Sequence, residues 1–242
     1  MREEWIELAG LRAIAVGEPD AALHVVLCHG FSMTPADLAP FAHSLGVPAR
    51  FVFPEGPAPA ELEPGVPRGR AWWRIDPDER ARSMAAGPRD FAGLHPPDLP
   101  AARARLGAVL DEVLAAAAGR PVVAGGFSSG GMLAYDTVLR APRPVAGLAL
   151  LSATRIAADE QAPHVAARAL AGVPALLSHG RADDDLAFAA GEALRDAAAA
   201  AGADVTWVPF DQGHEIPLVV WRRLRRWLAA IAAGAPSVGA PV

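Results

Sequence analysis

The sequence predicts an α/β protein in which helices cover both faces of a mostly parallel sheet. Short apolar segments alternate along the chain with longer segments of helical periodicity, the pattern of parallel strands joined by helices. The apolar segment 122–125 runs directly into the glycine-rich turn 126–131 and then into helix-forming residues. The 242 residues suit one large domain with a substantial core, and we assign residues 1–234 to it.

The first elements are predicted as an antiparallel hairpin, residues 5–8 and 11–16, because Gly10 separates two apolar runs. A helix over 34–45 is expected to begin at Thr34 as its cap, with Pro35 in its first turn. The remaining strands are predicted at residues 24–29, 50–53, 122–125, 145–152, 175–179 and 205–209. The remaining helices are predicted near residues 99–118, 130–139, 161–171, 186–201 and 216–233.

Three segments need a separate interpretation. Residues 54–97 are rich in Pro, Gly and Arg, and so long a loop in a compact domain is usually functional or disordered. The pair Trp72-Trp73 in its middle argues against full disorder.

The arginines of 216–233 are interpreted as the solvated face of a docked helix, with a membrane-surface or partner role as the alternative. Residues 235–242 are expected to form a disordered tail.

The composition excludes several classes of function. With 52% hydrophobic and 20% charged residues the chain is not disordered, and its net charge of −5 argues against nucleic-acid binding. The absence of Lys excludes Schiff-base chemistry and the lysine of a phosphate loop. The chain has no membrane-length apolar run and no apolar signal core, so a cytoplasmic protein without stable membrane insertion is expected. With a single cysteine, Cys28, and no metal-binding spacing, neither a disulfide nor a metal is expected.

Ser128, at the centre of a G-x-S-x-G motif in the turn, is the candidate nucleophile. A hydroxyl needs a base to remove its proton and donors to stabilise the resulting oxyanion. This context predicts an acid and then a histidine at the ends of later strands. Asp183 follows the strand predicted at 175–179, and His214 follows the next strand. Asp184 and Asp185 remain alternatives, either as the acid or as caps of the next helix.

Two backbone amides are expected to hold the oxyanion. One is the N–H of Ser129, and the other is the N–H of Phe31, in a loop where Gly30 permits the turn. His29 and His179 each precede a glycine at a strand end. We interpret both histidines as hydrogen bonders that orient loops rather than as proton shuttles.

Four sequence blocks in order resemble the carboxylesterase/acyl-protein-thioesterase-like branch of the α/β-hydrolases. The blocks are His29-Gly30-Phe31 with Asp37-Leu38, Gly126-Phe127-Ser128 with Gly130-Gly131, His179-Gly180 with Asp183, and Gly213-His214-Glu215. The resemblance implies the α/β-hydrolase fold without a large cap domain, with Ser128 as nucleophile, Asp183 as acid and His214 as base. It implies Phe31 and Ser129 as oxyanion donors. Family members commonly have Gln at the second position, but a backbone N–H does not depend on the side chain.

Trp72, Trp73 and Met132 are the candidates for the substrate pocket. The tryptophan pair resembles the aromatic stretch that borders the pocket in this family, and core packing is the alternative. Arg70 and Arg74 flank the pair. For these arginines, contact with an anionic substrate group competes with ordinary solvation.

The sequence thus predicts a serine hydrolase that cleaves carboxylic esters with small or medium acyl chains through an acyl-enzyme on Ser128. An acyl-thioesterase or a lysophospholipase with the same three residues is the nearest alternative. A catalytically silent binding protein with this fold is the alternative from another class, and the complete set of Ser, Asp and His argues against it. The expected partner is a small-molecule ester. No cofactor is expected, and the protein is expected to be a monomer or a homodimer.

Overall fold

A mostly parallel sheet of eight strands organises residues 1–234, the part of the chain that the computed structural model describes. The strands are β1 Glu3–Leu8, β2 Leu11–Val16, β3 Leu23–Cys28, β4 Ala49–Pro54, β5 Ala58–Glu63, β6 Val66–Ala71, β7 Val122–Phe127, β8 Gly147–Leu151, β9 Pro174–Gly180 and β10 Asp204–Phe210. The helices are α1 Pro35–Leu45, α2 Pro77–Ala85, α3 Leu99–Ala117, α4 Ser129–Arg140, α5 Ala158–Ala166, α6 Phe188–Ala200 and α7 Leu218–Ala232. The predicted fold class is confirmed.

The order of the strands brings particular loops together. The sheet runs β1-β2-β4-β3-β7-β8-β9-β10, and every pairing from β4 to β10 is parallel. The predicted N-terminal hairpin is confirmed as β1 and β2, which are antiparallel. Parallel strands end at the same edge of a sheet, so the loops after β3, β7, β9 and β10 all open at that edge.

Two hydrophobic cores lie on opposite faces of the sheet. Along β3 the side chains alternate between them, with Val26 and Cys28 in one core and Val25 and Leu27 in the other. Helices α3 and α4 contribute to the first core, and helices α1 and α7 to the second. Because helices cover both faces of the sheet, the central strands are continuous apolar runs without alternating polar residues. Such runs can be recognised in the sequence.

Part of the segment 54–97 is more regular than the sequence predicts. It contains the hairpin of β5 and β6 and the helix α2. The hairpin is anchored from outside, since Ser32 N–H donates to Arg70 O at 3.0 Å and Arg70 N–H donates to Met33 O at 2.9 Å. The strands of this hairpin show no alternation of apolar and polar residues by which the sequence could predict them. Backbone hydrogen bonds to the distant loop at residues 32–33 support the hairpin instead.

Helix boundaries differ modestly from the prediction. The helix expected at 161–171 begins at Ala158 and ends at Ala166, and Arg168 then adopts a φ of 54°, which cannot continue a helix. The docked C-terminal helix is confirmed as α7, which buries Leu224 and Trp227 and exposes Arg225. The described residues contain no large cap domain and no helix long and apolar enough to cross a membrane. The tail predicted at 235–242 lies outside the described residues.

The turn between β7 and α4 packs backbone against backbone. A Cβ on Gly130 would lie 2.3 Å from the carbonyl oxygen of Cys28, at the end of β3. A Cβ on Gly126 would lie 2.5 Å from the backbone carbon of Gly130. Only glycine permits these approaches, so the glycines seat the start of α4 directly against the end of β3.

Gly130→Ala is expected to destabilise the protein by about 1–3 kcal/mol, the usual cost of overpacking a tight site, because the backbone at Cys28 has no room to retreat. The control is Gly93→Ala, where an added Cβ meets nothing within 4 Å, and its effect should stay within about 0.5 kcal/mol. Urea unfolding of both variants measures the difference. Equal stabilities for the two variants would contradict the packing argument.

Candidate active site

Ser128 occupies a strained position between β7 and α4. Its backbone has φ 53° and ψ −123°, a region that side-chain-bearing residues rarely adopt and that costs about 1–3 kcal/mol. Its N–H donates to Leu151 O at 2.8 Å, which ties the turn to β8. With 8% of its surface exposed, the side chain is almost buried but still reaches solvent.

The structure brings Ser128, His214 and Asp183 into one hydrogen-bonded line. Ser128 Oγ lies 2.9 Å from His214 Nε2, and His214 Nδ1 lies 2.7 Å from Asp183 Oδ2. A carboxylate can only accept, so His214 carries its proton on Nδ1 and leaves Nε2 as the acceptor for the serine hydroxyl. The ring of His214 also packs against Phe127, with centroids 4.9 Å apart. In this arrangement His214 Nε2 is the acceptor, so it can take the hydroxyl proton of Ser128.

Asp183 is held in its ionised form. Its Oδ1 accepts the backbone N–H groups of Asp185, at 3.0 Å, and Leu186, at 2.8 Å. Burial favours a higher pKa, but hydrogen bonds from His179 and His214 outweigh it and hold the pKa of Asp183 well below its usual range. A buried carboxylate of this kind orients the histidine and stabilises its charged form.

The two neighbouring acids are engaged elsewhere or exposed. Asp184 is exposed to solvent, and the carboxylate of Asp185 forms an ion pair with Arg89. Among residues 1–234, only Asp183 of the three consecutive acids hydrogen-bonds His214. The geometry thus separates three residues that the sequence leaves as alternatives.

The loop after β3 and the first turn of α4 face each other. A Cβ on Gly130 would lie 2.5 Å from His29 O, so the two segments touch through their backbones. Neither the Phe31 nor the Ser129 amide N–H has a hydrogen-bond acceptor within the described part of the chain. Free amides of a tight loop and a helix N-terminus can stabilise a negatively charged oxygen.

The side chain of His29 holds the loop after β3 in place through two hydrogen bonds. Its Nδ1 donates to Gly30 O at 2.7 Å, and its Nε2 accepts the N–H of Gly56 at 2.9 Å. The indole N–H of Trp72 donates to His29 O at 2.8 Å, and the two rings stack. Since one ring nitrogen must accept, the imidazole is neutral, and burial lowers the pKa of His29 to about 4. The interpretation of His29 as a loop-orienting hydrogen bonder is confirmed.

The three predicted pocket residues lie mostly inside the protein. Trp72, Trp73 and Met132 expose 2%, 1% and 1% of their surfaces, and all three belong to the hydrophobic core. Trp73 in addition lines a cavity of about 380 Å³ together with residues of the 74–97 segment. The guanidinium of Arg70 donates to Gly56 O and Pro57 O, so it braces a loop, whereas Arg74 is exposed beside the cavity.

Two contacts around the acid loop go beyond what the sequence predicts. His179 Nε2–H donates to Leu186 O at 3.1 Å and lies 3.3 Å from Asp183 Oδ2, so it supports the acid as well as orienting the loop. The N–H of Arg89 donates to Asp185 O at 2.9 Å, and its side chain pairs with the same residue. Ninety-six positions separate the two partners in the chain, and no local pattern links them.

A model of the phospholipase/carboxylesterase family matches residues 10–231. Among solved structures, acyl-protein thioesterase 2 of Zea mays matches with a TM-score of 0.73 and 21% identity, over 91% of this chain and 99% of that one. A carboxylesterase from Mesorhizobium loti matches with a TM-score of 0.70 and 22% identity, over 95% and 99% of the two chains. The Bacillus cereus carboxylesterase matches with a TM-score of 0.66 and 20% identity, over 91% and 94%.

At these identities the solved structures establish that the fold is shared, namely the α/β-hydrolase fold, and the family match extends over nearly the whole described chain. Residues 1–234 contain no group of three or more His, Cys, Asp or Glu side chains arranged so that it could hold a metal ion.

Because the hydrogen bonds of His29 require a neutral imidazole, the stability of the protein should depend on pH. The unfolded chain protonates this histidine near pH 6.5 and the folded protein near pH 4, so the unfolded state binds more protons between these values. The free energy of unfolding should therefore fall as the pH is lowered from 6.5 to 4, by about 3 kcal/mol from this group. In His29→Gln this part of the slope should be missing, as measured by urea unfolding across the range. A variant with the wild-type slope would contradict the assignment.

Proposed function

This chain belongs to the phospholipase/carboxylesterase family and is a carboxylic-ester hydrolase, and on that premise we propose that it works through an acyl-enzyme on Ser128. The observation that carries the proposal is the unbroken line from Ser128 Oγ through His214 to Asp183, with contacts of 2.9 and 2.7 Å. These contacts lie within hydrogen-bond reach, as general-base activation of a hydroxyl requires.

In the first half of the reaction, His214 Nε2 takes the proton of Ser128 while Oγ forms a bond to the ester carbonyl carbon. The electron pair of the carbonyl moves to its oxygen, which the N–H groups of Phe31 and Ser129 stabilise. The ionised Asp183 stabilises the imidazolium. Collapse of the tetrahedral intermediate breaks the bond to the alcohol, which leaves with the proton from His214.

In the second half, His214 removes a proton from water as the water oxygen attacks the acyl carbon. The same two amides stabilise the second oxyanion, and collapse releases the carboxylic acid and returns the proton to Ser128 Oγ. No cofactor enters either half. The described residues carry no large cap above the site, which supports substrates with small or medium acyl chains.

A thioester or a lysophospholipid is processed by the same steps, since only the leaving group changes. Initial rates on matched p-nitrophenyl esters and acyl thioesters of equal chain length would rank the two activities.

Ser128→Ala should lower kcat for p-nitrophenyl butyrate by about 10⁴- to 10⁶-fold and abolish labelling by a fluorophosphonate, because the variant has no nucleophile. Ser129→Ala is the matched control. The Ser129 hydroxyl is buried without a hydrogen-bond partner in the described structure, and only its backbone N–H is proposed to act. It should retain activity within a few-fold. Wild-type protein that is neither labelled nor faster than Ser128→Ala would support the silent fold instead.

Asp183→Asn should lower kcat by about 10⁴-fold, as in a serine protease triad, because the amide cannot stabilise the imidazolium or fix the tautomer of His214. Asp184→Asn removes the same charge one residue away at an exposed position and should leave kcat unchanged. Steady-state kinetics at pH 8 compare the two. If Asp184→Asn is the impaired variant, the acid has been assigned to the wrong residue.

A further inference from the structure

A cavity of about 380 Å³ lies under helix α2 and combines an apolar wall with arginines. Trp73, Ile75 and Phe91 supply the apolar side. Arg74, Arg80 and Arg89 also line it, Arg74 at an exposed position. None of these residues takes part in the proton transfers proposed above. Residues that line the cavity nevertheless contact the loop of Phe31 and the loop of Asp183.

Two of its arginines, Arg80 and Arg89, contact those loops. The guanidinium of Arg80 lies over the ring of Phe31, 5.5 Å from the centroid, and the amide of Phe31 is a proposed oxyanion donor. Arg89 pairs with Asp185, two residues beyond Asp183, and Ala187 N–H donates to Arg89 O at 2.9 Å. Through contacts of these two lining residues, the cavity is connected with the loop of Phe31 and with the loop of Asp183.

Of the three arginines that line the cavity, Arg80 is the partly buried one without a carboxylate partner in the described structure, since Arg74 is exposed to solvent. Asp76 accepts two N–H groups at the start of α2, and Asp90 accepts the N–H of Ala92. Arg89 already has Asp185 as its counterion. Glu79 also lines the cavity, but it is exposed, and within residues 1–234 no carboxylate lies within ion-pair distance of Arg80.

Arg80 is also set up to receive an anion. Its side chain is partly buried, and burial lowers its pKa, which means that its charge lacks part of the hydration it would have in water. The nearby charge of Arg80 adds to burial in lowering the pKa of Arg89 to about 10. Stacking over an aromatic ring occupies the face of a guanidinium and leaves its N–H edge free to donate.

We propose that Arg80 binds a carboxylate on the acyl arm of the substrate, so that the preferred esters are monoesters of dicarboxylic acids. This inference rests on the acyl-enzyme function proposed above. A planar carboxylate matches two N–H groups of one guanidinium. A phosphate dianion would call on a second partly buried cation, but Arg89 is already paired and Arg74 is exposed to solvent. The apolar wall of Trp73, Ile75 and Phe91 suits the methylene chain between the two ends.

The test compares mono-p-nitrophenyl adipate with p-nitrophenyl hexanoate, which have equal chain lengths and differ in the terminal carboxylate. Spontaneous hydrolysis is subtracted with Ser128→Ala protein. The wild-type enzyme should prefer the adipate ester in kcat/KM. Arg80→Gln should lower that preference, the ratio of kcat/KM for the adipate ester to that for the hexanoate ester, about tenfold, the effect of losing one charge-assisted hydrogen bond.

Arg82→Gln is the matched control, since it removes an exposed arginine of the same helix that does not line the cavity. It should keep the wild-type preference. In the wild-type enzyme, the preference should also shrink as NaCl is raised from 0.05 to 0.5 M, because salt screens the attraction. This measurement does not depend on any variant folding.

The outcomes separate the inference from the function on which it rests. If the hexanoate ester is hydrolysed through Ser128 but the adipate preference is absent, or is equal in Arg80→Gln and wild type, the carboxylate site is overturned and the esterase function stands. If neither ester is hydrolysed faster than by Ser128→Ala, the acyl-enzyme proposal itself fails.

Discussion

The strained turn at Ser128 is the constraint on which the rest of the structure depends. A side chain at φ 53° is maintained only because the surrounding backbone leaves it no alternative. That backbone is the close contact of Gly126 and Gly130 with the end of β3, where an added methyl group would overlap Cys28 O. The same contact sets the distance between the loop of Phe31 and the N-terminus of α4. One packing constraint thus positions both the hydroxyl and the amides beside it.

The strands place the loops of His29 and Asp183 at one edge of the sheet, and buried hydrogen bonds then fix the conformation of these loops. His29 must be neutral to join Gly30 O and Gly56 N–H, and burial favours that neutral form. Asp183 must be charged to receive four donors, and those donors offset the cost of burying it. The protonation states are opposite, but each is the one that satisfies its hydrogen-bond partners.

Much of the fold could be predicted from the sequence because the central strands are buried on both faces. Residues such as Val25 and Leu27 form apolar runs that no surface strand would show. The hairpin of β5 and β6 could not be predicted, since its strands show no apolar alternation. It depends on backbone hydrogen bonds between Arg70 and the loop after β3. The early end of α5 was also hidden, because a single backbone angle at Arg168 sets it.

The sequence by itself determined the chemistry that is available and the order in which it occurs along the chain. Ser128, an acid loop and a histidine loop follow successive strands, and strand order places such loops at one edge of the sheet. Only the tertiary structure decided which of three adjacent carboxylates contacts His214, and which arginines enclose the cavity beside Phe31. The physical reason is that local sequence sets the residue types and the strand ends. Contacts between loops far apart in the chain depend on three-dimensional distances, which no local pattern encodes.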